Sequence, residues 1–491
     1  MIVNHIYRWA AQQPARTAII HDDRPVSYAA FAQGIDAARR FLLPHDMPVG
    51  MTAVVLVHHY VRQWCVLLAL RSLGMNTICV EKLEDVETLR LGNIGAVVTT
   101  PEDAARCRVT RPKAFGRRIT IVPDKIWRSA AGGAPAPNDD PERPYGGHIL
   151  YTSGTTGNHK KVLVEGRHEE ALVQRCVTCR DMLPDSIAHV LSFSLWSGIG
   201  FKLPLSAWHE GATVVADQSG DAARNVFRHQ PTIVTLPPGM AFDLVAQTAT
   251  VRRPATMPTI SLGGGFVSPK LIKALRNAKF GRIRVGFGAT ECSHILRSYV
   301  EEEDEQAAWL EPVADRHVEI VDEEDRACAT GQEGMLRVRL LEHDAREYLD
   351  DPETSASVFR DGWFYPGDLA VRREDGRIRI LGRAGDVLNL RGAKVAAAPL
   401  EQQMRQLLDI ENVCLFQGVD AAGREELVVA IEAEVLPDQK LIDHVTVNLP
   451  AFERVRFEAV SQFPRASSGL QKIKRLELRK RVFGAGLEAG G

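Results

Sequence analysis

The chain has 491 residues, 45% of them hydrophobic, enough for a large buried core and too many for one compact domain. Lys and Arg number 60 against 62 Asp and Glu, so the formal net charge of −2 lacks the basic excess of a nucleic-acid binder. The 8 cysteines are scattered; Cys176 and Cys179 form a CxxC with no second pair to complete a four-ligand zinc site, so reduced thiols on a helix are expected.

The opening residues place no basic region ahead of an apolar core, so a cytoplasmic chain without a secretion signal is expected. The most apolar stretch, 53–70, holds His58, His59, Arg62 and Gln63; it is predicted as a buried strand and helix, not a membrane span. Strand patterns recur at 52–57, 77–80, 96–99, 119–122, 213–216, 232–236 and 283–286, with helical patterns between several of them, as at 61–73 and 268–278. That alternation predicts an α/β fold of helix-covered parallel sheets. Residues 132–143, polar and rich in proline, are predicted as a loop, and the acidic run 301–306 as a solvated face. Past residue 315 short strands are predicted at 317–321, 334–339, 369–372 and 378–381, with turns at Asp361-Gly362 and Asp375-Gly376, giving a small β-rich, barrel-like section. The remainder alternates again: a helix at 399–408, strands at 413–418 and 426–433, and a basic tail from Lys472. A boundary is expected at 382–386.

Residues 151–160 read Tyr-Thr-Ser-Gly-Thr-Thr-Gly-Asn-His-Lys. Gly154 and Gly157 let the backbone turn tightly and approach a ligand, so that consecutive N–H groups can face phosphate oxygens. Thr152, Ser153, Thr155 and Thr156 add hydroxyls, and Lys160 a compact positive charge. The Walker spacing is absent. By composition alone the run would serve equally as a surface turn, but its order is far more specific.

That order resembles the phosphate loop of the adenylate-forming superfamily, which includes acyl-CoA synthetases, carrier-protein adenylation domains and firefly luciferase. His159 stands where proline is usual and Lys161 where glycine is usual. Further runs follow in the family's sequence. Residues 14–33 resemble its opening helix and hairpin. Gly263, Gly264 and Gly265 resemble a turn along the adenine. Residues 286–291, Gly-Phe-Gly-Ala-Thr-Glu, resemble its aromatic-Gly-x-Thr-Glu segment. Residues 362–369 resemble its Gly-Trp-x-x-Thr-Gly-Asp-Leu, with Pro366 in the threonine place. Gly382-Arg383 and 386–392 resemble the hinge and its following loop, and 464–475 the C-terminal lysine motif. The resemblance covers essentially the whole chain and implies a large N-terminal domain, 1–381, a hinge at 382–386 and a small mobile α+β lid, 387–491.

By that resemblance, Glu291 is the Mg²⁺-associated carboxylate, Thr290 a donor to the α-phosphate, and Phe287 with Gly288 the adenine wall. Asp368 would accept the ribose hydroxyls, with Arg383 assisting. Lys472 would be the adenylation lysine, although Leu470 follows Gly469 where the family places its lysine; the bland alternative is a solvated basic tail. Gly392, with Lys394 nearby, would face the thiol. Gly385 departs from the usual hinge Asp or Lys. At the acyl pocket Leu195 replaces a common histidine, and Phe193-Ser194 lacks the aspartate that pairs with α-amino acids. Trp196 and Phe201 suggest an apolar or aromatic acid, though core packing explains them equally well.

The implied activity is acid–thiol ligation: a small carboxylic acid, ATP and Mg²⁺ give an acyl-adenylate, which passes to CoA. The alternatives are loading of phosphopantetheine on an acyl or peptidyl carrier protein, transfer to a non-thiol nucleophile, and a nucleotide-binding protein that has lost catalysis. No nucleic-acid partner is expected.

Overall fold

The computed structural model describes residues 1–109, 113–128, 144–152, 159–190, 193–216, 226–248, 256–265, 267–300, 309–390, 393–419, 425–447, 454–465 and 473–483. The expected loop at 132–143, the acidic run at 301–306, Ser153, Gly154, Thr155, Thr156, Gly157, Gly392 and Lys472 lie outside them.

The architecture is α/β, with a large N-terminal part and a small C-terminal one. Its first large sheet has 7 strands, in the order Lys113–Ala114, Arg117–Ile121, Ile94–Thr99, Thr52–Leu56, Asn76–Cys79, His148–Thr152, Lys160–Val164. The interior pairs are parallel and the last pair is an antiparallel hairpin. Thr52–Leu56 is buried at every position, as befits an apolar run covered on both faces. The neighbouring helix Tyr60–Ser72 is buried on nearly every side, so it serves as interior rather than surface.

The second large sheet has 9 strands: Glu311–Pro312, Ser293–Tyr299, Ile283–Ala289, Thr259–Gly263, Ile233–Leu236, Ile187–His189, Thr213–Ala216, Thr17–His21, Arg24–Ser27. Its central strands are parallel. After Ile187–His189 the chain goes to one neighbour, Thr213–Ala216, and then returns to the other side for Ile233–Leu236. That reversal opens a crevice at the strands' carboxyl ends, where ligands of open α/β sheets sit. Helices Glu169–Arg180 and Gly198–Glu210 pack beside one another. Ser197 caps the latter, its Oγ accepting from Gly200 N at 3.0 Å. A fully buried ion pair, Arg71 to Glu169 at 2.5 Å, joins helix Tyr60–Ser72 to helix Glu169–Arg180.

A 6-stranded antiparallel sheet follows, running from Val318–Val321 to Ile378–Arg383. The small C-terminal part holds the hairpin Val387–Leu390 with Ala393–Ala396, and a 3-stranded sheet of Val413–Val419, Glu425–Glu432 and Val455–Val460. The strand expected at 283–286 continues to Ala289, because Gly-Phe-Gly stays paired to Ser293–Tyr299. Phe201 belongs to the core: it is fully buried and stacks on Trp64 at 5.8 Å and on His148 at 4.2 Å, so it gives no information about an acyl group. Among the described residues no helix is long and apolar enough to cross a membrane.

Candidate active site

The hairpin of His148–Thr152 and Lys160–Val164 pairs Thr152 directly with Lys160 at the edge of the 7-stranded sheet. Tyr151 stacks on Trp196 with centroids 5.8 Å apart and planes at 9°, and its backbone N donates to Trp196 O at 3.1 Å. His148 lies 3.1 Å through Nε2 from Leu195 O and 2.9 Å through Nδ1 from Thr77 Oγ1. Burial pushes its pKa down to about 3, so the ring is neutral. These contacts tie the hairpin to the segment leading into helix Gly198–Glu210.

Across the crevice, Gly263 ends its strand opposite Gly286. Gly264 has a φ of +78°, which glycine adopts without strain. A Cβ at Gly288 would lie 2.3 Å from Ser293 O, so this backbone approach admits glycine alone. Phe287, on the alternate face, packs against an apolar cluster behind the strand.

Thr290 and Glu291 follow in the turn after Ala289. The buried Lys202 reaches from helix Gly198–Glu210 and donates from Nζ to Thr290 O at 2.9 Å. Burial lowers its pKa. Ala345 N donates to Glu291 O at 2.9 Å. Tyr348 Oη donates to Glu291 Oε1 at 2.6 Å, and Lys160 Nζ stands 4.9 Å from the centre of the Tyr348 ring. Burial, and after it the Glu291 carboxylate, hold the Tyr348 phenol far above its ordinary pKa, so it stays a donor.

Asp368 and Arg383 sit opposite one another in the antiparallel sheet. Arg383 Nε is 3.2 Å from Asp368 Oδ1, with the carboxylate side chain 7% exposed and the guanidinium 48%. Arg383 also donates to Pro366 O and lies within electrostatic reach of Tyr348.

Lys160, Thr290 and Glu291 thus gather around Tyr348 and Lys202, while Asp368 and Arg383 form their own pair. Tyr348 and Lys202 escape sequence reasoning: one is a lone tyrosine 57 residues from Glu291, the other a lysine inside an otherwise apolar helix.

The AMP-binding enzyme family matches residues 6–348. Among curated proteins, 4-coumarate–CoA ligase-like 5 of Oryza sativa subsp. japonica is 24% identical over 360 residues, covering 69% of this chain and 62% of that protein. The chain spans less than two thirds of the length of the first curated relatives: 62% of the rice protein and 4% of the nonribosomal peptide synthetase CymA of Salinispora arenicola. In fold it matches the anthranilate CoA ligase AuaEII, in complex with anthranoyl-AMP, at a TM-score of 0.81 and 19% identity over 99% of this chain and 98% of that one. It also matches the amide bond synthetase McbA of Marinactinospora thermotolerans at a TM-score of 0.80 and 20% identity, over 98% and 100%. With most of its length matched by the family pattern, the chain belongs to the AMP-binding enzyme family.

Proposed function

We propose that this chain activates a carboxylic acid with ATP, forming an acyl-adenylate and pyrophosphate, and passes the acyl group to a thiol, either CoA or the phosphopantetheine arm of a carrier protein. One observation carries the reading: Lys160, Tyr348 and Glu291, from distant parts of the chain, meet in a single contact series beside the phosphate-loop hairpin. The chemistry joins two anions, a carboxylate and a triphosphate. A cation and a metal-binding carboxylate held side by side are what it needs.

The residues fit a magnesium ion. Mg²⁺ is held by one or two carboxylates with the rest of its shell from phosphate and water, and Glu291 is one carboxylate with a single proton donor on Oε1. Bound there, Mg²⁺ supplies charge neutralisation at the phosphate oxygens. Lys160 holds the leaving pyrophosphate. Thr290, fixed through its carbonyl by Lys202, donates to the α-phosphate. Thr152 through Gly157 cradle the triphosphate, Gly263, Gly264 and Gly265 form the adenine slot, and Asp368 accepts the ribose hydroxyls.

In the first half-reaction a carboxylate oxygen bonds to the α-phosphorus as the bond to pyrophosphate breaks. In the second, the thiol sulfur bonds to the acyl carbon, AMP leaves and the thiol proton goes to solvent. Lys472 serves the first and the loop at Gly392 the second, with a lid, 387–491, turning on 382–386. Gly382, at a φ of +138°, and Gly385, where a Cβ would meet nothing within 4 Å, support that hinge. Transfer to an amine is the second reading, favoured by the buried Leu195 in place of the usual histidine.

A pyrophosphate-release screen over diverse carboxylic acids with ATP and Mg²⁺ tests the first half-reaction. Thioester formation with CoA or holo-carrier protein tests the second. Absence of nucleotide binding overturns the proposal, and an amide formed where no thioester forms selects the second reading.

A further inference from the structure

The strand Ile283–Ala289 places Arg284, Gly286 and Gly288 on one face. Its parallel neighbour sets Ser261 beside Arg284 and Gly263 beside Gly286. Its antiparallel neighbour sets Tyr299, Arg297 and His294 opposite Arg284, Gly286 and Gly288, the last after a register slip. Gly263 and Gly286 therefore leave a shallow groove that leads from the side of Thr290 to Arg284, while the space at Gly288 is taken by Ser293 O. Arg284 to Gly288 alone spans about 13 Å at strand rise. Ser261, Gly263, Gly286, Thr290 and His294 are all partly exposed along it.

The far end of the groove is crowded with cations. Arg284 is 4% exposed, Arg180 5% and Arg175 7%. Arg284 and Arg297 both donate to Cys179 O at 3.1 Å, and Arg175 NH2 donates to His294 O at 2.6 Å. Among the described residues the facing carboxylates are Asp315, which pairs with Arg175, and Asp181, 3.8 Å from Arg284 and 3.6 Å from Arg297; both acids are nearly half exposed. Among the described residues, the buried NH1 atoms of Arg180 and of Arg175 have no hydrogen-bond partner, while Arg180 also bonds the Cys176 thiol and Arg175 is paired through its other nitrogens. Burial, then Arg180, bring Arg284 down to about 10, and burial with Arg180, Arg284, Arg175 and Lys202 keeps His294 neutral. A buried guanidinium nitrogen left without a partner is costly, and here two, one each on Arg175 and Arg180, share a wall with Arg284, whose Nε donates to Ser261 Oγ at 3.1 Å.

We propose that the acid activated by this chain carries a second anionic group, a carboxylate in the simplest case, which seats against Arg180 and Arg284 at the far end of the glycine groove. This rests on the adenylation reading above and refines it: the expected apolar acid becomes a dicarboxylic one. A carboxylate accepts paired hydrogen bonds from guanidinium and supplies the missing countercharge.

The test is pyrophosphate release by the full chain with matched acids: pimelate against heptanoate, terephthalate against 4-methylbenzoate, and the diacids from succinate to azelate. The diacids of best length should exceed their monoacid partners in kcat/KM by about tenfold or more. Arg180→Met should lower that ratio about tenfold, and Arg180→Lys should restore part of it. Gly286→Leu should block the longer acids and not the short ones, because a Cβ there meets nothing closer than 3.8 Å and the fold accepts it. Monoacids used as well as diacids would discard the second anionic group and leave the adenylation reading standing. Pyrophosphate released with no acid tried would discard neither nucleotide chemistry nor the fold, but would overturn this inference. Failure to bind ATP would sink both.

Discussion

The strands Thr52–Leu56 and Ile283–Ala289 occupy similar positions in two helix-covered sheets, yet their side chains differ sharply. The first is Thr-Ala-Val-Val-Leu, buried at every position. The second runs Ile-Arg-Val-Gly-Phe-Gly-Ala, buried at its start and open toward its end. The first strand uses both faces for packing. The second gives up side-chain packing on one face, where Gly286 and Gly288 stand, and keeps apolar contact on the reverse through Val285 and Phe287, although its sheet-mate Ile233–Leu236 is buried at every position. Stability should therefore concentrate in strands such as Thr52–Leu56, and chemistry at the end of Ile283–Ala289 and at the Lys160 hairpin on the edge of the 7-stranded sheet.

The largest break in that division should come from Glu291→Ala. Acid-dependent pyrophosphate release should fall about a thousandfold, about 4 kcal/mol of transition-state stabilisation, with the urea midpoint unmoved. A lowered midpoint would place Glu291 in the scaffold instead. Leu56→Ala is the mirror case. Unfolding free energy should drop by about 3 kcal/mol while KM for ATP, measured on folded protein, stays the same. Tyr348→Phe, which removes the donor at 2.6 Å from Glu291, should cost about 2 kcal/mol in kcat/KM for MgATP. Unchanged kinetics would detach Tyr348 from the site.

The smallest effect joins the two regions. His148, in the 7-stranded sheet, is neutral with its pKa lowered to about 3 by burial, against about 6.5 unfolded. The unfolded state binds the proton first, so the contribution is complete above pH 6.5 and declines as pH falls toward 3. Between pH 7 and 5.5 it should amount to about 1 kcal/mol, read from urea unfolding. His59, lowered to about 4 by burial and by His21, acts in the same direction. His148→Leu should flatten that slope; an unaltered slope would assign it to other groups.

Much of this was legible in the residues. The apolar runs at 52–57 and 213–216 and the capped helix after Ser268 follow from local pattern and capping alone. The strand at 283 was read too short because Gly-Phe-Gly looks like a break, and only pairing with Ser293–Tyr299 keeps it extended. Glu291 and Asp368 were found through motif order. Tyr348 and Lys202 were not, since each acts through a contact that exists only once remote segments pack together. Phe201 was ambiguous for the same reason: burial between Trp64 and His148 is not written in its neighbours.

The pairing of Asp368 with Arg383 means that this carboxylate is already engaged before any sugar arrives. Under the proposed assignment, a ribose docking there competes with Arg383 at Oδ1 rather than with solvent alone. Added electrolyte loosens the resident contact, whose arginine is half exposed, but also weakens the grip on phosphates. Adenosine and ATP should consequently answer rising ionic strength in opposite senses, the nucleoside holding on slightly better as the triphosphate lets go.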